Sequence, residues 1–236
     1  MTSHDAVELI DGNYRSRVVL TCEHAGSTLP APWSWPKADL RLVGTHWSCD
    51  LGADALTRNL AEALGAPAVL SRFTRLLVDP NRPLDSDTLF RSEADGLPVE
   101  LNASVETAER ERRIRGYYEP YHATATTMVQ RSDAEIVFGI HTFTPIYEGD
   151  ARSIELGVLF DQEEDLGNAL VTHLQDAGFV AAANEPYSGK AGLAYSPVLH
   201  AEQFNRRALE IEARQDLVVE PDFAARLVVA LQGFFS

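Results

Sequence analysis

Short apolar runs that alternate with amphipathic helical stretches predict an α/β fold: three layers, α/β/α, built on a mostly parallel, mixed sheet. Two further observations support it. The runs are β-branched and end at glycine, proline or polar residues, as buried strands do. The composition, 45 % hydrophobic and 23 % charged over 236 residues, suits a globular chain with a large core. With no internal repeat, low-complexity tract or linker, one domain over 1–236 is expected, its core spanning about 18–232.

The elements follow in order. Val18 to Cys22 is a β-branched run, and Gly26, Pro30 and Pro32 enforce the loop after it. A helix is expected from about Cys49 to Leu64, with Leu51, Ala55, Leu60 and Leu64 near one face and Gly65-Ala66-Pro67 as its stop. Ala68 to Leu70 and Leu76 to Val78 read as strands, the second closed by Asp79-Pro80-Asn81-Arg82-Pro83. Val105 to Gln130 is helical in pattern, kinked or divided at Pro120. Glu135 to Ile140 and Ile154 to Phe160 are strands; a helix over about Glu164 to Ala177 leads to another near Val180 to Ala183. Ala208 to Ile211 reads as one more buried strand, and Pro221 to Phe235 as a closing helix.

Charge and cysteine usage narrow the function. A net charge of −15 speaks against nucleic acid or an anionic membrane surface as partner, while leaving room for a local arginine cluster that takes a small anion. The N-terminus lacks the order of a signal peptide and no apolar run reaches the length of a membrane span, so a cytoplasmic protein is expected. Cys22 and Cys49 are expected to be reduced packing residues.

The chemistry gathers where strands are expected to stop, the edge at which parallel sheets carry their sites. His24 follows the first strand, with Glu23 or a backbone carbonyl available to orient its ring. His141 closes Ile136-Val137-Phe138-Gly139-Ile140. Two imidazoles and a carboxylate form a common catalytic zinc site with one position open. The third ligand is either His46 or Asp50, four residues apart. A further carboxylate, Glu210 or Glu212, is available as general base. Arg72, Arg75 and Arg82 lie within eleven positions of an otherwise acidic chain, and guanidinium groups suit a substrate carboxylate. Neither a G-x-S-x-G elbow nor a phosphate-binding glycine loop is present.

Several motifs in one order carry a resemblance: Cys22-Glu23-His24-Ala25-Gly26, Asp50-Leu51-Gly52-Ala53, Arg75-Leu76-Leu77-Val78-Asp79-Pro80-Asn81-Arg82-Pro83, Pro120-Tyr121-His122, Ile140-His141-Thr142-Phe143-Thr144-Pro145, Asn184-Glu185-Pro186-Tyr187-Ser188 and Glu212-Ala213-Arg214-Gln215-Asp216. From about Val18 to Leu231 the chain resembles the N-formylglutamate amidohydrolase family, zinc hydrolases with a fold akin to the zinc carboxypeptidases. The resemblance implies His24, Asp50 and His141 as ligands of one zinc ion, thus Asp50 over His46. It implies Glu212 over Glu210 as base. Asn81-Arg82 resembles the Asn-Arg pair by which zinc carboxypeptidases hold a substrate carboxylate, which leaves Arg75 to polarise the scissile carbonyl and Arg72 and Arg214 as further substrate contacts. The implied reaction is hydrolysis of a small anionic N-acyl amino acid in amino-acid degradation. The alternatives are a zinc amidase or carboxypeptidase-like enzyme on another acyl or peptide-like substrate, or a non-catalytic metal-binding member. Glu-His-Ala-Gly and His-Thr-Phe-Thr-Pro depart from the family's usual wording and suggest a divergent branch.

Overall fold

The computed structural model describes residues 6–147 and 149–236. The strands are β1 (Val7–Ile10), β2 (Val18–Cys22), β3 (Ala68–Ser71), β4 (Glu93–Ala94), β5 (Leu97–Pro98), β6 (Ile136–Phe143), β7 (Ile146–Tyr147), β8 (Asp150–Ala151), β9 (Leu156–Leu159), β10 (Ala181–Ala183) and β11 (Arg207–Arg214). The helices are α1 (Ala53–Leu64), α2 (Thr107–Arg113), α3 (Glu119–Arg131), α4 (Glu164–Asp176), α5 (Tyr195–Glu202), α6 (Gln215–Val218) and α7 (Pro221–Phe235).

Seven strands form one sheet in the order β1-β3-β2-β6-β11-β9-β10. The neighbours β3, β2, β6 and β11 are mutually parallel; β1 runs against β3, and the parallel pair β9–β10 runs against β11. The sheet is therefore mixed and mostly parallel, as expected. Every residue of β2 and β6 is buried, which is why their sequences read as continuous apolar runs rather than alternations.

Because side chains alternate across a strand, each strand serves two cores. Val18, Leu20, Ile136, Phe138, Ile140, Leu209 and Ile211 pack with α1, α4 and α7 on one face. Val19, Val137 and Ala208 pack with Tyr121, Ala125 and Met128 of α3 and Ala201 of α5 on the other. The same alternation carries Gly139, His141, Glu210 and Glu212 to the α3–α5 face, at the carboxyl end of the parallel strands. Register then places Glu212 beside His141 and Glu210 beside Gly139.

Several elements depart from the sequence-based expectations. Leu76 to Val78 is not a strand: the chain turns, with Leu77 N–H donating to Thr74 O, and so brings Arg75 and Asp79 back to the sheet edge. The helix expected over 105–130 is broken by a π turn at Ile114–Tyr118, just ahead of Pro120. Pro120 follows directly, in the first turn of α3. β1, too short for its alternation to stand out, adds an antiparallel edge, and β11 extends over eight residues. Cys22 and Cys49 are free and buried.

Candidate active site

Four connections deliver the site. β2 ends at Cys22 and hands over Glu23 and His24. Asp50 precedes α1, its N–H donating to His24 O at 3.0 Å, so the two residues are tied through the main chain. His141 lies near the end of β6, and Asp79 on the turn after β3. His24 and His141 meet edge to face, ring centres 4.7 Å apart. Their Nδ1 atoms both face Asp50 Oδ2, at 3.3 and 2.8 Å. The three ligand-type atoms lie within 4.8 Å of one another, and all three side chains are buried.

The outer nitrogens are held as firmly. His24 Nε2 donates to Asp79 Oδ1 at 2.7 Å, and His141 Nε2 to Glu23 Oε2 at 2.9 Å. The expected pairing of Glu23 with His24 is therefore corrected. Glu23 follows His141 because β2 and β6 are neighbours, and Asp79 takes His24. Tyr121 Oη donates to Glu23 Oε1 at 2.8 Å and fixes that carboxylate from α3.

This arrangement supplies its own test of whether a metal fits. Each imidazole faces a carboxylate oxygen at both nitrogens, yet a neutral ring has only one N–H. With Nε2–H given to the outer carboxylate, Nδ1 lone pairs point at Asp50 Oδ2. Positive charge must therefore lie between them, either as extra protons or as a cation. Without a cation, burial disfavours the His141 charge, but Glu210, Asp50 and Glu23 push its pKa well above the usual histidine range. Burial likewise opposes the Asp50 charge, and the two histidines hold that carboxyl well below the usual range. Two imidazoles, one carboxylate and outer carboxylates that orient the rings suit a divalent ion.

A cleft of about 190 Å³ opens on this centre. Arg75 spans it, with Nη1 donating to Asp50 Oδ1 at 3.3 Å and Nη2 to Asp79 Oδ2 at 2.9 Å; burial opposes its charge, and the two aspartates more than compensate. Glu212 reaches the cleft from β11, and its Oε2 is buried without a hydrogen-bond partner among the described residues. Burial, then Glu210 and Asp50, raise its pKa well above the usual carboxylate value, against the opposing pull of His141. Glu210 does not line the cleft. It lies behind His141, 3.5 Å from Nε2, in a space that Gly139 leaves by having no side chain.

Arg82 and Asn81 also line the cleft. Asn81 accepts from Ser196 N–H and donates to Leu193 O, which leaves one amide hydrogen free to face a ligand. Arg82 Nη1 donates to Asn81 O at 2.7 Å and Nε to Thr88 Oγ1 at 3.2 Å. Two expected substrate contacts lie elsewhere. Arg72 is exposed and pairs with Glu8 across the sheet edge, and Arg214 pairs with Asp216 and donates to Arg152 O. His46, left open as a ligand by spacing, stands in the cleft wall against Trp47 rather than in the ligand group. Sequence reasoning missed Arg91, Tyr147 and Tyr187, which also line the walls. Arg91 lies in a loop, Tyr147 closes β7, which is two residues long and shows no readable alternation, and Tyr187 stands within Asn184-Glu185-Pro186-Tyr187-Ser188, a stretch that carried the resemblance without a role for its tyrosine. Asp79 carried a signal: it opens Asp-Pro-Asn, and Asn81 N–H donates to Asp79 Oδ1, an Asx turn.

The N-formylglutamate amidohydrolase family model matches residues 16–219. Among solved structures, the chain is similar to gene product Atu2144 from Agrobacterium tumefaciens, at 28% identity and TM-score 0.92, covering 99% of this chain and 94% of that one. It shares its fold with N-formylglutamate amidohydrolase from Ralstonia eutropha, at 23% identity and TM-score 0.74, covering 98% and 96%. A bacteriophage poly-gamma-glutamate hydrolase has the same fold at 11% identity and TM-score 0.51, covering 99% and 90%. No curated protein sequence matches the chain.

Proposed function

The chain belongs to the N-formylglutamate amidohydrolase family, hydrolases acting on amide bonds, and on that premise we propose that it cleaves the amide of a small N-acyl amino acid of the N-formylglutamate kind. The observation that carries this reading is the convergence of His24, Asp50 and His141 on one point of a cleft that also holds Glu212, Arg75 and Arg82.

His24, Asp50 and His141 would hold one divalent ion, zinc by the preference of such donors. When bound, that ion supplies a Lewis acid that makes water more acidic and polarises an amide carbonyl. Glu212 is the base that accepts the proton of the attacking water and returns it to the leaving nitrogen. Its buried oxygen, with no hydrogen-bond partner among the described residues, suits a group that must exchange a proton, and a nearby cation would draw it back toward the ionised form. Arg75, immobilised by Asp50 and Asp79, keeps a fixed positive charge beside the reacting carbonyl, where negative charge develops. Arg82 and the free hydrogen of Asn81 would anchor the substrate carboxylate, while Glu23 and Asp79 keep the imidazoles aimed.

A panel of N-formyl, N-acetyl and dipeptide substrates tests the reading. Turnover is expected on N-formyl amino acids, and His141→Ala is expected to lose both zinc and turnover. A His141→Ala protein that kept full zinc and full activity would refute the assignment.

A further inference from the structure

Behind the cleft, two buried histidines face each other without a role in the chemistry above. His122 Nδ1 on α3 and His200 Nε2 on α5 are 2.9 Å apart, and His200 Nδ1 is 3.2 Å from Thr126 Oγ1. Neither lines the cleft, and neither belongs to the ligand group. Both are neutral. Burial, and for His122 the facing His200, lower their pKa values to about 3 and about 4. Two neutral rings in this contact must share one hydrogen directionally, so the pair fixes the spacing and tilt of α3 against α5 in a way that apolar packing would not.

What these helices carry together is the Asn81-Arg82 segment. His122 lies beside the Pro80 carbonyl, and its ring packs tilted against Tyr118, 4.2 Å between centres. Tyr118 Oη donates to Arg82 O at 3.0 Å and lies 3.3 Å from Tyr195 Oη. From the α5 side, Ser196 N–H donates to Asn81 Oδ1 and Leu193 O accepts from Asn81 Nδ2. The segment is thus suspended between the two helices that the imidazole pair joins.

We propose that His122 and His200 are positioning residues that lock α3 to α5 beneath Pro80, Asn81 and Arg82 and thereby set affinity for the substrate's carboxylate. The proposal rests on the reading of Asn81 and Arg82 as the carboxylate anchor. Tyr121 of the same α3 reaches the metal centre through its own hydroxyl on Glu23, a hydrogen bond that passes through neither imidazole, so the pair should act on substrate affinity and leave zinc and the chemical step alone.

The test compares His200→Leu with His200→Gln, whose amide can restore a polar contact to His122. For N-formyl-L-glutamate, His200→Leu is expected to raise KM about tenfold, the scale of a weakened hydrogen bond to a charged group. Its kcat and zinc content should stay within about twofold, and His200→Gln should recover most of the lost affinity. A folded His200→Leu protein with unchanged KM overturns the proposal, as does a KM rise that His200→Gln fails to rescue, or a loss that falls on kcat and zinc instead. A wild-type protein that neither binds nor turns over N-formyl-L-glutamate is a different failure: it removes the reading of the anchor, and the positioning role with it.

Discussion

Asp50 shows how one side chain can organise a site: its Oδ2 receives two imidazole nitrogens, its Oδ1 accepts from Arg75, and its N–H ties it to His24. Glu212 shows the opposite design, a buried carboxylate left partly unsatisfied. Replacing it with glutamine keeps the volume and removes the basicity. Glu212→Gln is expected to lower kcat by about 10²–10⁴-fold while zinc content, measured on the purified protein, stays unchanged. Glu210 gives a stability prediction. In the metal-free protein burial raises its pKa from near 4.5 to about 7, against the attraction of His141. A carboxyl whose folded pKa is raised holds its proton longer in the folded than in the unfolded state. Its favourable contribution is complete below the unfolded value and is lost as pH rises through about 7. Urea unfolding of the metal-free protein should show the stability of wild type relative to Glu210→Gln falling between about pH 5 and 7.

The strands work as rulers for the site. β11 carries Glu210 and Glu212 on one face, and its register against β6 decides which of them stands beside His141. A slip of one residue would turn both carboxylates to the opposite face, among α1, α4 and α7. β9 pairs on the other side of β11, and the absence of a side chain at Gly157 leaves room for the Glu185 main chain. A Cβ there would meet the Glu185 carbonyl oxygen at 1.9 Å. Gly157→Ala is expected to destabilise the protein by about 1–3 kcal/mol, read as a lower urea midpoint. It should also raise KM, because displacing Glu185 moves Tyr187 in the cleft wall.

At the scale of the molecule, the buried centre collects Glu23, Asp50, Asp79, Glu210 and Glu212 around two histidines and Arg75, in a chain of net charge −15. Such a centre would be balanced by a bound cation. Chelation should lower the melting temperature; zinc at about a thousandfold over its Kd restores about 4 kcal/mol. Because the carboxylates around His141 raise its pKa in the metal-free state and a ring must be neutral to bind metal, zinc uptake should release protons and weaken as pH falls. Calorimetry in buffers of different ionisation enthalpy measures that release. None of the described helices is long and apolar enough to cross a membrane.

The fold class and the family were legible from the chain itself, because strand burial, helix periodicity and the order of motifs are local properties that survive without knowledge of contacts. Leu76 to Val78 misled for the same reason: an apolar run is compatible with a buried turn, and only the pull of Arg75 and Asp79 toward the centre distinguishes them. Spacing left His46 open against Asp50, and Glu210 against Glu212, since it records separation along the chain rather than across it. Tertiary structure decided which groups share a space. Neighbouring strands gave Glu23 to His141, a turn gave Asp79 to His24, and the sheet edge drew Arg72 away to Glu8. Those pairings depend on strand order and register, long-range quantities set by packing of the whole sheet.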